Sequence, residues 1–224
     1  MNNIPNRLVN SLSFRVNNFL QKPLAKRADN PYATHVPILV TLGQLLPVRY
    51  ILELGCGQYS TLTFLDTCIF PKLISLQSVE NDQAWAEKIT SLVKDDPRFK
   101  LSYIQGDIYV AIDEALVNQK DIIFIDDSVN AVERAATIRA VCKYTNASTV
   151  LVIHDYETKL YRDSVQGFSN SFRFTAFNPN IGILWNDASI SPIKLRNLNN
   201  FFKKNQKFDL ENHSQWLTEI KRLI

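Results

Sequence analysis

Cysteine, glycine and long apolar runs are all scarce in this chain. Three cysteines, Cys56, Cys68 and Cys142, lack metal-ligand spacing, and their odd number argues against a disulfide framework. No uninterrupted apolar run approaches the roughly 20 residues that cross a bilayer. The opening segment, broken by Asn17, Asn18, Gln21 and Lys22, has no signal-peptide core. These absences predict a cytoplasmic protein with no membrane association. Repeats and low-complexity segments are missing too. What remains is ordinary for a globular chain: 224 residues, 46% hydrophobic and 21% charged, enough for one full core with appendages.

The net charge of +3 hides a division. Residues 1–29 and 194–224 each carry +4, which leaves the middle at −5. A basic patch could meet nucleic acid or a membrane surface. Here, however, the basic residues alternate with Leu20, Leu24, Leu198, Phe201 and Phe202 at helical spacing, which reads as the solvated face of packed helices. Nucleic acid is therefore not the expected partner, and the terminal helices are where a homo-oligomer could form. Asp29-Asn30-Pro31 and Ala188-Ser189-Ile190-Ser191-Pro192 break the pattern. They predict an N-terminal helical arm over 1–30, a central domain over 31–187 and a C-terminal helical tail over 188–224.

Two of the few glycines stand close together in Tyr50-Ile51-Leu52-Glu53-Leu54-Gly55-Cys56-Gly57. The apolar run reads as a buried strand, and the glycines let the backbone turn sharply after it. Ser60 and Thr61 can then cap a helix. Strand, glycine turn and helix hold a nucleotide-like ligand at the end of a first strand. Four more strand-like stretches follow: Leu73–Glu80, Leu101–Asp107, Asp121–Asp127 and Thr149–Asp155. Each ends in a polar or acidic residue. In a parallel sheet those ends lie side by side and make a site. Phe172–Phe177 and Ile181–Trp185, joined by Asn178-Pro179-Asn180, read as a closing antiparallel hairpin. Helices are expected at Leu8–Leu20, Thr34–Leu46, Thr61–Leu65, Gln83–Leu92, Ile108–Leu116, Val129–Tyr144, Leu195–Lys204 and Gln215–Leu223. The alternation predicts an α/β, doubly wound, Rossmann-like sheet of seven mostly parallel strands, with helices on both faces and a C-terminal antiparallel hairpin.

From Tyr32 to Trp185 the chain resembles the class I S-adenosylmethionine-dependent methyltransferases, and small-molecule O-methyltransferases among them. Glu53-x-Gly55-x-Gly57 is similar to the first family motif, Val79-Glu80 to the second and Gly106-Asp107 to the adenine-side motif. Phe124-Ile125-Asp126 and Val152-Ile153-His154-Asp155 resemble the fourth- and fifth-strand motifs. Tyr59 stands where the usual pattern has a third glycine, and Gln58-Tyr59-Ser60-Thr61 resembles a variant of the O-methyltransferase relatives. The resemblance implies S-adenosylmethionine as cofactor, held by Glu53 at its ammonium, the turn of Gly55, Gly57, Tyr59 and Ser60, Glu80 at its ribose, Asp107 and Ile108 at its adenine, and Asp126. It implies transfer of a methyl group to an oxygen of a small-molecule acceptor.

Several of these residues also have plain structural readings. Glu80 could be a loop acid, with Asn81 or Asp82 capping the next helix, and Asp107 could cap a helix at Ile108. Glu53, an acid inside an apolar strand, needs a partner. Cys56 reads as a small residue beside the ligand rather than a nucleophile. For the acceptor's proton the candidates are His154, Asp126, Asp155 and His35. His154 is a natural base because imidazole titrates near neutrality, or else it shapes the pocket. Catechol-type relatives use three oxygen ligands for magnesium at the fourth and fifth strands. Asp126 and Asp155 match two of these, but Tyr156 stands at the third, so magnesium is not favoured. Two alternatives remain open: a domain of this fold that only binds a nucleotide or partner, and an aminopropyltransferase, whose first motif is denser in glycine.

Overall fold

The computed structural model describes residues 31–93, 95–205 and 213–224. The arm expected over 1–30, with its helix at Leu8–Leu20, lies outside the described residues. The first elements are α1 (Val36–Leu45), β1 (Tyr50–Leu54), α2 (Gln58–Leu65), β2 (Ser75–Glu80), α3 (Gln83–Leu92) and β3 (Phe99–Tyr103). There follow α4 (Glu114–Val117), β4 (Ile122–Ile125), α5 (Ala131–Tyr144), β5 (Val150–Ile153) and α6 (Lys159–Ser164). The chain closes with β6 (Asn170–Phe174), β7 (Ile181–Trp185), α7 (Pro192–Lys204) and α8 (His213–Leu223). No described helix is long and apolar enough to cross a membrane.

The strands form one sheet in the order β3-β2-β1-β4-β5-β7-β6. β1 pairs in parallel with β2 and β4, β2 with β3, and β4 with β5. β7 runs antiparallel to both β5 and β6, as the hairpin predicts. The central strands β4 and β5 are buried along their whole length, because a parallel sheet is covered on both faces. Side chains alternate between two cores. Ile51, Phe124 and Val152 pack with α1, α2, α7 and α8, while Leu52, Ile123 and Leu151 pack with α5 and α6. Thus α7 and α8 build the first core through Leu195, Leu198, Phe202 and Ile220.

Three local expectations need correction. Gly57, not Ser60 or Thr61, occupies the N-cap of α2. The Thr61 hydroxyl is used inward, on Glu53, so it serves in the first turn rather than at the cap. The helix expected over Ile108–Leu116 is instead a 3-10 turn at Ile108–Ala111 followed by α4, whose cap is Asp113. A helix at Lys159–Ser164 was not expected at all.

Strand order reverses between β1 and β4. In an open parallel sheet such a switch point leaves a crevice beyond the carboxyl ends, bounded by the loops after those two strands.

Candidate active site

The loop after β1 is shaped by Gly55. Its φ of +83° suits glycine, and a Cβ there would lie 2.3 Å from the carbonyl oxygen of Asp126. The first loop therefore rests directly on the fourth-strand loop. Three groups tether it. The Glu80 carboxylate accepts from Cys56 N–H at 3.0 Å, and from Asn81 and Asp82 N–H at 2.8 and 2.9 Å. Trp85 Nε1 donates to the Cys56 carbonyl at 2.6 Å. Thr61 Oγ1 accepts from Gly57 N–H at 3.2 Å and donates to Glu53 at 2.8 Å.

Glu53 lies wholly buried beneath this loop, and Ser78 Oγ also donates to it at 2.6 Å. Burial pushes its pKa up to about 7, against the lowering pull of the surrounding hydroxyls. The Cys56 thiol is pushed upward by burial and by Glu53 and Glu80, so it is no nucleophile at neutral pH. Asp82, not Asp107, provides a side-chain cap, accepting from Trp85 N–H at the start of α3.

The opposite wall comes from the tips of β4 and β5 and from two helices. At its centre is Arg134 on α5, whose side chain is only 4% exposed. One guanidinium nitrogen lies 2.9 Å from Asp126 Oδ1 and another 2.6 Å from Asp155 Oδ2. Its Nε is 3.5 Å from Asp127 Oδ1, and the Tyr161 ring lies 5.6 Å beneath the guanidinium carbon. Thr137, one turn on, donates to the other Asp127 oxygen. Burial alone would raise Asp126 and Asp155, but His154 and Arg134 hold both below the usual carboxylate range. Asp127 is pushed up by its burial.

The two histidines differ sharply. His154 Nδ1 stands 3.3 Å from Asp126 Oδ1 and 3.4 Å from Asp155 Oδ1, and Nε2 stands 3.1 Å from Thr34 Oγ1. Burial would lower its pKa, yet the two carboxylates outweigh burial and raise it to about 9. His154 is therefore an imidazolium near neutrality. His35, 2% exposed at the start of α1, has neither ring nitrogen hydrogen-bonded. Burial and the His154 charge lower its pKa to about 3, so it stays neutral. Its ring lies 4.9 Å from Phe124 and edge-on to His154 at 5.3 Å.

Between the two walls is a cavity of about 460 Å³, within the range of small-molecule sites. Of the residues singled out from sequence, His35, Gly55, Gly57, Tyr59, Ser60 and Asp126 line it. Glu53, Glu80, His154 and Asp155 stand behind those linings. Asp107 precedes the 3-10 turn, and Ile108 is buried in the core beside α5. Five lining residues were not anticipated: Arg134, Trp85, Lys88, Ser128 and Val129. Arg134 did leave a signal, since it shares the buried stripe of α5 with Ile138 and Val141. Trp85 and Lys88 left none that separates them from an ordinary surface helix.

The residues present do not fit magnesium. It takes a near-octahedral oxygen set, and here the Asp126 and Asp155 oxygens are already joined by a guanidinium. Tyr156 faces away: its ring lies flat over Gly182 of β7, where a Cβ would come within 2.4 Å.

No family model matches the chain. No curated protein matches it in sequence. Solved structures do resemble it. The MycE methyltransferase of the mycinamycin biosynthetic pathway, solved with Mg, SAH and mycinamycin VI, is 14% identical over 65% of this chain and 46% of its own, with a TM-score of 0.44. An O-methyltransferase family protein from Burkholderia thailandensis is 13% identical over 68% of this chain and 55% of its own, at 0.47. Aeropyrum pernix fibrillarin, solved with natively bound S-adenosyl-L-methionine, is 15% identical over 69% of this chain and 75% of its own, at 0.49. The chain spans about half the length of the first two, at 46% and 55%. With TM-scores under 0.5 these likenesses carry no argument, and the fold rests on the strand order. With β7 inserted antiparallel between β5 and β6 in the order 3-2-1-4-5-7-6, the chain has the fold of the class I S-adenosylmethionine-dependent methyltransferases.

Proposed function

We propose that this chain is an S-adenosylmethionine-dependent methyltransferase that acts on an oxygen of a small-molecule acceptor. The observation that carries the reading is the cavity at the switch point, with the glycine loop on one wall and an unpartnered histidine beside Asp126 on the other. The loop of Gly55, Gly57, Tyr59 and Ser60 and the side chain of Trp85 would hold the cofactor, and Glu80 braces that loop through Cys56 N–H. Glu53 acts as a positioning residue: through Thr61 it fixes Gly57, and it lies wholly buried beneath the loop rather than in the lining of the cavity. When bound, the cofactor supplies an electrophilic methyl group.

Methyl transfer asks of the protein only in-line positioning and removal of the acceptor's proton. His35 faces the cavity, is uncharged and has free nitrogens, so it is the group we assign to accept that proton. His154, already protonated, holds Asp126 and Asp155 in place and reaches Thr34, next to His35.

The test is a thermal-stability scan with S-adenosylmethionine, its demethylated product, decarboxylated S-adenosylmethionine and NAD. Ligands that bind the native state raise its melting temperature. The first two should do so and NAD should not. Label from the methyl group should then appear on hydroxyl acceptors. Stabilisation by NAD alone sinks the reading. Preference for the decarboxylated form makes the chain an aminopropyltransferase, and binding without transfer to any acceptor makes it a binding domain.

A further inference from the structure

We infer that Arg134 is a built-in cation standing where a divalent metal ion would otherwise sit, so that the second wall of the cavity works without one. Three carboxylates, Asp126, Asp127 and Asp155, converge at the tips of β4 and β5. Gathering them in a largely buried place without counter-charge would be costly. Arg134 supplies the counter-charge from α5: it donates a charge-assisted hydrogen bond to Asp155 Oδ2 at 2.6 Å and forms an ion pair with Asp126 Oδ1 at 2.9 Å. The planar guanidinium is well suited to joining two carboxylates in a fixed geometry.

Its placement is built rather than incidental. The N-terminus of α5 is pinned by Asn130, whose side chain accepts from Val132 N–H, and by Glu133, which accepts from Ser128 and Asn130. Thr137 ties the same helix to Asp127, and Tyr161 lies under the guanidinium. His154 Nδ1 also lies 3.3 Å from Asp126 Oδ1 and 3.4 Å from Asp155 Oδ1, on the same two carboxylates. A metal seeking the same oxygens would have to displace the arginine or lie against it, at a strong repulsive cost.

That this cation serves methyl transfer rests on the reading proposed above; that it fills the cation position does not. The test therefore uses no turnover. Chelator-treated protein is titrated with magnesium, manganese and zinc while its melting temperature is followed, for the wild type and for Arg134→Ala, Arg134→Gln and Arg134→Lys. The wild type should shift by less than about 1 °C with any of the three. The two neutral variants leave three acids without their cation, so they should melt lower and recover by about 3 °C or more in millimolar manganese or magnesium. The lysine variant retains the charge and should stay indifferent to metal. A wild type stabilised by magnesium or manganese overturns the inference. So does one stabilised by zinc, which would place the ion on His35, Asp126 and His154, whose candidate ligand atoms lie within 4.8 Å of one another. Folded neutral variants that ignore metal also overturn it. Should neither neutral variant fold, the lysine variant decides: indifference supports the inference and metal stabilisation defeats it. Failure here leaves the cofactor scan untouched, and failure of that scan leaves this result standing.

Discussion

At the scale of single residues, charge state separates two histidines that look alike in sequence. An unperturbed imidazole titrates near 6.5 and would put an inflection there in a pH–rate profile. His154 cannot supply it, since Asp126 and Asp155 raise it to about 9, nor can His35, which burial lowers to about 3. The expected profile of kcat/KM therefore carries no histidine inflection between pH 5.5 and 7.5. His35→Ala should cut turnover, and by less than the roughly 10²–10⁴-fold usual for a general base of matched pKa, since burial holds His35 near 3. His154→Ala should act less severely, by loosening Asp126 and Asp155. A rate that climbs through pH 9 and loses that climb in His154→Ala would instead make His154 the base. The place of His154 at the end of an apolar strand beside an acid was legible in the sequence. Its charge was not, because that depends on two carboxylates from different strands.

At the scale of elements, the helix that carries Arg134 shapes the second wall, and the hairpin fixes the direction of Tyr156. β7 approaches the segment after β5 so closely that the Tyr156 ring covers Gly182 and Tyr156 N–H donates to Asn180 O at 2.9 Å. Gly182→Ala would force a Cβ into that ring. It should destabilise the fold by about 1–3 kcal/mol, the range for overpacking. In a Tyr156→Ala background the same change should cost much less, because the two residues share one space. Urea denaturation of the four proteins measures this, and equal costs in both backgrounds would mean that the close approach is not what matters. The hairpin itself was readable from Asn178-Pro179-Asn180 between two apolar runs. The direction of Tyr156 was not, since a residue just past a strand end follows the turn. That turn places Asp155 at a φ of +57°, in the left-handed region.

At the scale of the whole molecule, a buried acid under the central strand links stability to pH. Glu53 has a folded-state pKa of about 7, raised from 4.5. A raised folded pKa contributes stability that is fully present below the unfolded value and is lost as pH rises through the folded value. Glu53→Gln cannot ionise, so it lacks that loss. Between pH 4.5 and 7 the unfolding free energy of the variant should gain on the wild type by about 3 kcal/mol, at about 1.4 kcal/mol per pH unit. Denaturant titrations at several pH values measure the difference, and a constant difference would leave Glu53 ionised throughout. His154 works in the same direction at higher pH, its contribution fading between about 6.5 and 9.

By itself the sequence determined the sheet and the glycine loop, though β3 ends at Tyr103, short of Asp107, and β6 runs over Asn170–Phe174. These depend on local signals: continuous apolar runs for strands buried on both faces, and glycines where the backbone must turn. The same locality placed His35, Gly55, Gly57, Tyr59, Ser60 and Asp126 around one cavity. Only the tertiary structure decided which acids face the cavity and which stand behind it. Glu53 and Glu80 look equivalent as strand-end acids, yet one lies beneath the loop on two hydroxyls and the other braces it from the side. Arg134 is the clearest case. Its partners Asp126, Asp127 and Asp155 are eight, seven and twenty-one residues away. Nothing local shows that they meet, because ion pairing is set by distance in space, and only packing α5 against the ends of β4 and β5 creates that distance.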